Sequence, residues 1–245
     1  MAKSIIITGA SSGIGLATAN LFLQAGWQVG LLARRKEKLE VAARGHDNAH
    51  VLVADVTDAQ AMERVFADFV KAVGRLDVLF NNAGMFGPSS TIDQVSIDDW
   101  QQVLNVNLSG MFYGARLAFA QMRNQSPQGG RIINNGSISA YSPRVGSVCY
   151  TTTKHAISGL TKTLSVDGRP FDISCGQIDI GNARTEMVEN LISRTLAAEP
   201  DAEVMPSMDV SAAADSVFHM AGLPPEANVL FMTVMASKME FVGRG

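Results

Sequence analysis

The chain lacks the features of several protein classes. Its 245 residues include only two cysteines, Cys149 and Cys175, so we expect free thiols in a reducing compartment rather than a disulfide framework. No apolar run is long enough to cross a membrane. The short apolar segment near the N-terminus leads straight into a motif, so we expect no targeting segment and a cytoplasmic protein. Charge is sparse, and 20 basic residues against 23 acidic ones provide no surface for nucleic acid. The four histidines show no metal-site spacing.

Apolar residues, in contrast, are abundant. They make up 47% of the chain, which together with a net charge of −3 excludes disorder as the dominant state. Strand-like runs alternate with segments of helical periodicity, and this predicts an α/β fold with a doubly wound, Rossmann-type parallel sheet and helices on both faces. Without a linker or low-complexity stretch, residues 1–245 are expected to form a single domain. The predicted strands are Ile5–Ile7, Val29–Leu32, Val51–Val53, Val78–Phe80, Arg131–Asn134 and Ile173–Ile178.

Capping signals mark two helix starts. Thr57 with Gln60, and Ser96 with Asp99, each predict a helix that begins just after the first residue of the pair. Residues 183–208 are the least periodic part of the chain. We interpret them as a mobile segment over the substrate site, with a surface loop of no function as the alternative.

A glycine-rich turn follows the first predicted strand and opens a helix. Its glycines permit a tight turn and close approach of a ligand to the backbone, and free amides at a helix N-terminus favour a pyrophosphate. The spacing Gly-x3-Gly-x-Gly differs from the usual dinucleotide fingerprint, and a purely structural turn stays an alternative. The candidate cofactor-binding residues in this turn are Gly9, Ser11, Ser12, Gly13, Ile14 and Gly15.

Two arginines follow the second predicted strand. Ala33 stands where an acidic residue would bind the ribose hydroxyl of NAD, and Arg34 and Arg35 come directly after it. Because guanidinium groups suit a 2′-phosphate, the pair predicts NADP(H), with NAD(H) as the less favoured cofactor. Arg34 is the expected main determinant, supported by Arg35 and Ser11. The alternative is a pair of solvated charges at a helix start.

Polar residues also follow the third and fourth predicted strands. Asp55 and Val56 come after one strand, and Asn82, Ala83 and Gly84 after the other. Side chains at the carboxyl ends of parallel strands can contact an adenine and its ribose, or they can satisfy loop backbone groups. We assign all five residues to the cofactor.

Tyr150 and Lys154 are four residues apart on a predicted helix, so both side chains leave the same helix face. A free tyrosine, with a pKa near ~10, is a poor acid or base at neutral pH unless a nearby ammonium stabilises its anion. Ser137, just beyond the fifth predicted strand, could hydrogen-bond a substrate oxygen. Chance pairing of Tyr150 and Lys154 is the alternative, which the serine and the glycine turn upstream weaken.

Together, the motifs resemble the short-chain dehydrogenase/reductase family in order and spacing, from residue 4 to about residue 187. The resemblance implies a seven-stranded sheet, a nicotinamide cofactor and a catalytic tetrad. In it, Tyr150 would be the acid or base and Ser137 the partner of the substrate oxygen. Lys154 would lower the tyrosine pKa and hold the nicotinamide ribose, and Asn107 would hold a water of the proton relay. The matching residues are Thr8-Gly9-x3-Gly13-x-Gly15, Asp55, Asn81–Gly84, Asn107, Ser137 and Tyr150-x3-Lys154.

The chain departs from the family at two places. Ile180-Gly181 stands after the sixth strand, where Pro-Gly is frequent in the family. Gly181 is still assigned to the cofactor, as is Thr185, which matches the threonine that contacts the carboxamide in the family. The frequent glycine-rich, acidic C-terminal ending is replaced by Gly243-Arg244-Gly245. In many relatives that end shapes the substrate site and a tetramer contact.

The expected function is an NADP(H)-dependent enzyme that interconverts a carbonyl and an alcohol on a small molecule. We expect a homodimer or homotetramer that pairs through helices at about 97–123 and 150–166. A cofactor-sensing protein without turnover and a methyltransferase on a similar sheet are the alternatives, and the intact tetrad argues against both. Seven of the twelve methionines lie between Met187 and Met239. Ordinary core filling is the favoured explanation, and if the methionines line a pocket they slightly favour an apolar substrate.

Overall fold

The computed structural model describes residues 2–242, which form a seven-stranded sheet flanked by helices. The strand order is β3-β2-β1-β4-β5-β6-β7, and every neighbouring pair is parallel. This confirms the predicted doubly wound sheet and the seven strands that the family resemblance implied. The strands are β1 Ser4–Thr8, β2 Gln28–Ala33, β3 Ala49–Val53, β4 Val78–Asn81, β5 Gly130–Asn135, β6 Ile173–Gly181 and β7 Phe231–Met235.

Eight α-helices connect or follow these strands within the described residues. A π-helical turn at Asn105–Ser109 joins the fourth and fifth helices into one continuous segment. A short 3₁₀ turn, Ile138–Ala140, lies between β5 and the sixth helix. The helices are α1 Gly13–Gln24, α2 Lys36–Ala43, α3 Ala59–Val73, α4 Ile97–Leu104, α5 Gly110–Asn124, α6 Val148–Asp167, α7 Glu186–Ala198 and α8 Val210–Gly222.

Two hydrophobic layers hold the sheet between the helices. Successive side chains of a strand point to opposite faces, so Ile5 and Ile7 pack on one face and Ile6 on the other, all fully buried. Phe22 of α1 belongs to the first layer, and Phe66 of α3 belongs to the second. Because both faces are covered, β1 and β4 have consecutive buried apolar residues rather than an alternating pattern, as expected of a parallel sheet.

One of the two predicted caps is wrong. Asp58, not Thr57, caps α3, and its carboxylate accepts hydrogen bonds from the Gln60 and Ala61 amides at 3.0 and 2.9 Å. The helix begins one residue later than predicted because the Thr57 hydroxyl donates instead to Asp55 Oδ1, at 2.8 Å.

The Ser96 cap is confirmed. The Ser96 hydroxyl accepts a hydrogen bond from the Asp99 amide at 3.0 Å and donates one to the Asp99 carboxylate at 2.7 Å, and these bonds cap the N-terminus of α4.

The weakly periodic segment 183–208 contains a regular helix, α7, which the sequence pattern did not predict. Thr185 caps this helix, since its hydroxyl accepts from the Val188 amide at 3.3 Å. The two ends of the segment lie side by side, because Ala183 forms an isolated β-bridge with Met208. Its mobility stays a prediction.

None of the helices described between residues 2 and 242 is long and apolar enough to cross a membrane. Cys149 and Cys175 are both buried as free thiols. Within the same described range, no group of three or more histidine, cysteine or acidic residues could hold a metal ion.

Candidate active site

A cavity of about 530 Å³ opens at the carboxyl ends of the strands. The loops after β1, β2, β3, β4, β5 and β6 all contribute to its wall, as expected for a ligand site in a doubly wound sheet. Most of the residues predicted for the site line this one cavity. They are Gly9, Ser11, Ser12, Gly13, Ile14, Arg34, Arg35, Asp55, Val56, Asn82, Ala83, Gly84, Ser137, Tyr150, Lys154 and Thr185.

The glycine turn is fastened to the loop after β4. The Thr8 hydroxyl accepts from the Asn82 and Ala83 amides at 2.8 and 2.9 Å, and the Asn82 side-chain amide donates to the Thr8 carbonyl at 2.8 Å. Gly9 has a φ of +70°, a conformation that favours glycine. Gly15 does not line the cavity. A Cβ there would collide with the Gly9 carbonyl, so the glycine lets α1 pack close to the turn.

The two arginines after β2 have different partners. The Arg35 guanidinium donates to both Ser11 Oγ and Ser12 Oγ at 2.9 Å, which places it against the glycine turn. Arg34 points the other way and forms a 3.5 Å ion pair with Asp55, and its side chain is 73% exposed. Partial burial would raise the Asp55 pKa, but hydrogen bonds from Thr57 and the charge of Arg34 outweigh burial and lower it.

Ser137, Tyr150 and Lys154 meet at the inner end of the cavity. Ser137 follows β5, while Tyr150 and Lys154 lie one turn apart on α6. The buried Lys154 ammonium donates to the Asn135 carbonyl at 2.7 Å and lies 5.4 Å from the centre of the Tyr150 ring. The Phe86 ring packs edge-on against that ring, with centroids 4.9 Å apart. The structure therefore brings together three of the four predicted catalytic residues.

Asn107, the fourth, lies behind the cavity wall rather than on it. Its side chain accepts from the Met85 amide and donates to the Met85 carbonyl, both at 2.8 Å, and also donates to Thr153 Oγ1 at 3.2 Å. Asn107 thus ties the loop after β4 to α6. The π-helical turn that carries it is a form often found at functional sites. Its role in a water relay stays a prediction.

The pKa of Tyr150 is raised in this structure. Burial is the main cause and Asp179 adds to it, while a hydrogen bond with Ser137 and the charge of Arg144 act in the opposite direction. Burial lowers the pKa of Lys154 to about 8, against a smaller raising effect of Asp179. Ser137 and Arg144 are thus the groups that favour the tyrosine anion here. The lowering by Lys154 that the family resemblance implied stays a prediction.

Gly181, which was expected at the site, does not line this cavity, and neither does Tyr141. Gly181 lies against β7, where a Cβ would be 2.8 Å from the Met235 Cβ. The Tyr141 hydroxyl donates to the Asp179 carboxylate at 2.9 Å. Burial raises the Tyr141 pKa to about 12, helped by its hydrogen bond to Asp179 and the carboxylate charge.

Asp179 is a site residue that the sequence analysis missed. It is fully buried on β6 and accepts hydrogen bonds from the Ser137 amide at 2.9 Å and from Gln177 Nε2 at 2.7 Å. Burial raises its pKa, although its hydrogen-bond donors and Lys154 oppose the rise. A Cβ on Gly136 would collide with the carboxylate, so glycine is required there. An acid between two isoleucines near the end of a predicted buried strand was the signal that could have identified it.

Comparison with known proteins settles the family. A sequence model described as short chain dehydrogenase matches residues 3–195. The chain belongs to the short chain dehydrogenases. It is therefore an oxidoreductase of the class that acts on alcohols and carbonyls, and the sequence resemblance is confirmed.

The names of two relatives specify different substrates. A 2-(R)-hydroxypropyl-CoM dehydrogenase of Xanthobacter autotrophicus is 34% identical over 91% of this chain and 92% of its own length. A 3beta-hydroxysteroid dehydrogenase of Mediterraneibacter gnavus is 32% identical over 76% of this chain and 68% of its own. The structure of a serine dehydrogenase in its closed form, complexed with NADP+, superposes with a TM-score of 0.89. That match covers 99% of this chain and 98% of the other at 23% identity, and it confirms the short chain dehydrogenase fold.

Proposed function

We propose that this short chain dehydrogenase uses NADP(H) to interconvert a carbonyl and an alcohol, with Tyr150 as the acid or base. The observation that carries the proposal is the position of Ser137, Tyr150 and Lys154 on the wall of the same cavity as the glycine turn. A nucleotide held by the turn and a substrate oxygen held by the serine and tyrosine can then share one enclosed space.

The residues of the cavity suit a dinucleotide. Ser12 is the N-cap of α1 but makes no side-chain bond to the helix amides, so those donors remain available to a phosphate. Gly13 has a φ of +54°, and a Cβ there would be 3.1 Å from Thr185 Cγ2, so the turn leaves room that a side chain would fill. When bound, the nicotinamide would supply or accept the hydride.

The side chains then supply the proton chemistry. In reduction, the substrate carbon gains the hydride while its oxygen takes the proton from the Tyr150 hydroxyl; oxidation reverses both transfers. Ser137 donates a hydrogen bond to the same oxygen and stabilises its developing negative charge. Lys154 and Asn107 would complete the tetrad, the lysine by stabilising the tyrosine anion and binding the ribose, and the asparagine by ordering a water.

Preference for NADP(H) is supported by the residues after β2. With Ala33 in place of an acid, no carboxylate at this position repels a 2′-phosphate. Arg35 is already held at the glycine turn by Ser11 and Ser12. The exposed ion pair between Arg34 and Asp55 is worth at most about 1 kcal/mol, so Arg34 can leave it for a phosphate.

A homodimer or homotetramer is part of the proposal, with α4–α5 and α6 as the paired helices. Ile157 is fully buried in the protomer, but Phe112 is 50% exposed, and Phe119 and Leu160 are only partly covered. Phe112, Phe119 and Leu160 line a surface groove between α5 and α6. More apolar surface is left there than a solvated helix face needs.

The decisive experiment is turnover of a panel of carbonyls and alcohols with each nicotinamide cofactor, followed by the absorbance of the reduced cofactor. Tyr150→Phe should lose nearly all turnover, at least a hundredfold in kcat, because the ring remains while the ionisable oxygen is gone. Ser137→Ala should also lose turnover. Cofactor affinity should stay close to that of the parent in both variants. Activity of Tyr150→Phe within about tenfold of the parent, a barrier change of ~1.4 kcal/mol, would refute the assigned role. Cofactor binding with no turnover of any compound would instead support the cofactor-sensing alternative.

A further inference from the structure

Arg144 is a cavity-lining cation with almost no polar partners. It lies between the 3₁₀ turn at Ile138–Ala140 and α6, and it is partly buried. Its guanidinium carbon is 5.8 Å from the centre of the Phe86 ring, and its Nη1 is 3.7 Å from the Met205 sulfur. An aromatic face and a thioether are weak partners for a group with five N–H donors.

No protein carboxylate within the described residues pairs with Arg144. The four ion pairs among residues 2–242 do not involve it, and Glu186, which also lines the cavity, is not within ion-pair distance of it. Asp179, the other charged residue that acts on Tyr150, is fully buried and accepts hydrogen bonds from Ser137, Gln177 and Tyr141.

Arg131, a buried arginine that does not line the cavity, differs from Arg144 in that the protein supplies acceptors for its guanidinium. Its guanidinium donates to Asn228 Oδ1 at 2.9 Å and to the carbonyls of Ala227, Pro224 and Leu223 at 2.8, 3.3 and 3.5 Å. A guanidinium taken from water is stable only when its donors are satisfied in this way. Arg144 has no comparable set of acceptors, so its donors remain available to a ligand.

Arg144 lies close to the proposed proton donor. The Phe86 ring centre is 5.8 Å from the Arg144 guanidinium carbon and 4.9 Å from the centre of the Tyr150 ring. The charge of Arg144 also acts on the Tyr150 hydroxyl. Other side chains on this wall, such as Met85, Ile138 and Val188, are apolar. One cation and several apolar side chains thus share the cavity wall with the proposed proton donor.

We infer that Arg144 binds an anionic group of the substrate, which makes the substrate an oxo acid or the corresponding hydroxy acid. The carbonyl would lie at Tyr150 and Ser137, and the anion would take the guanidinium donors that the protein leaves unused. This inference rests on the proposed function, since it names the substrate class of the same site. Charge-assisted hydrogen bonds of this kind correspond to about ten- to hundredfold in affinity.

The test compares two oxo acids with their neutral esters. We would measure kcat and KM for acetoacetate, levulinate and the methyl ester of each, at saturating NADPH, in the parent and in Arg144→Gln. The parent should prefer each acid over its ester by about tenfold or more in kcat/KM, mainly through KM. Arg144→Gln should remove most of that preference. A change in the tyrosine pKa alters kcat, whereas the contact with the anion alters KM, so the acid-to-ester ratio of KM isolates that contact.

Two control variants sharpen the comparison. Arg184→Gln removes the same charge from an exposed residue next to the cavity whose side chain does not line it, and it should leave the ratio unchanged. Arg144→Lys keeps the charge without the fork and should retain part of the preference. Equal loss of preference in Arg184→Gln and Arg144→Gln would mean a general field effect, and it would overturn the assignment to Arg144.

A binding measurement decides the question without turnover. Levulinate titrated by calorimetry into the parent with NADP+ present should bind at least tenfold more tightly than into Arg144→Gln. Equal affinities, or no binding to either, would overturn the inference whether or not the protein is an enzyme. If the methyl esters are reduced as fast as the acids, the inference is wrong while the proposed oxidoreductase activity stands.

Discussion

The buried charge of Lys154 should lower the stability of the folded protein. The side chain is only 3% exposed, and burial lowers its pKa from 10.5 to about 8. Each unit of such a shift corresponds to about 1.4 kcal/mol of disfavoured charge, so the buried ammonium costs about 3 kcal/mol at neutral pH relative to a lysine in water. Because the folded pKa lies below the unfolded one, this penalty is complete below pH 8 and disappears as the pH rises towards 10.5.

Lys154→Met removes the charge while keeping a side chain of similar length. The Asn135 carbonyl loses the hydrogen bond it accepts at 2.7 Å, which costs about 1 kcal/mol. The net expectation is a gain of about 2 kcal/mol in the free energy of unfolding of the cofactor-free protein at pH 7, falling to about zero near pH 10. Turnover should be lost. This would be a stability–activity trade-off located at a single side chain.

The assay is urea unfolding of the cofactor-free parent and variant at pH 7 and pH 10, at equal protein concentration because oligomers unfold in a concentration-dependent way. Lys162→Met is the matched control, since Lys162 is an exposed lysine on the same helix. It should change stability by no more than about 0.5 kcal/mol at either pH. The reasoning fails if Lys154→Met is less stable than the parent at pH 7, or if its gain is the same at both pH values.

Three further predictions concern the cofactor, the assembly and the fold. Arg34→Ala and Arg35→Ala should each weaken NADP binding by about ten- to hundredfold with little effect on NAD, with the larger loss in Arg34→Ala; equal affinity of the parent for NADP and NAD at one ionic strength would refute the phosphate assignment. Light scattering at micromolar concentration should show a dimer or tetramer, and a species of only 26.1 kDa would contradict the proposed pairing. Asp58→Ala should lower the free energy of unfolding by about 1 kcal/mol, whereas Thr57→Ala should have a smaller effect, because Asp58 is the residue that caps α3.

Sequence reasoning located the central sheet because its strands are buried on both faces. Such strands contain short apolar runs bounded by turns, and β1, β2 and β4 have this form. The position of β7 was not predicted. It lies at the edge of the sheet, and its side chains are all at least partly exposed, so neither burial nor alternation marks it in the sequence.

The candidate site was predictable where a motif is local and unpredictable where contacts are distant in sequence. The glycine turn and the Tyr150–Lys154 pair each lie within one loop or one helical turn. Asp179 instead bonds to residues that are distant in sequence: Ser137 lies 42 positions before it and Tyr141 lies 38 positions before it. Similarly, nothing in the order Arg34–Arg35 indicates that one side chain turns to Asp55 and the other to the glycine turn.

Burial favours the protonated form of Tyr150 in the cofactor-free protein. Burial and the Asp179 carboxylate raise its pKa, and Lys154, with a pKa of about 8, carries only a weakly held proton. The hydroxyl therefore keeps its proton at neutral pH, which is the state needed to reduce a carbonyl. Arg144 is one of the two groups that oppose this. If an acidic substrate neutralises Arg144, the tyrosine pKa rises further, so the hydroxyl stays protonated but becomes a weaker acid, and the hydrogen bond from Ser137 to the forming alkoxide gains importance.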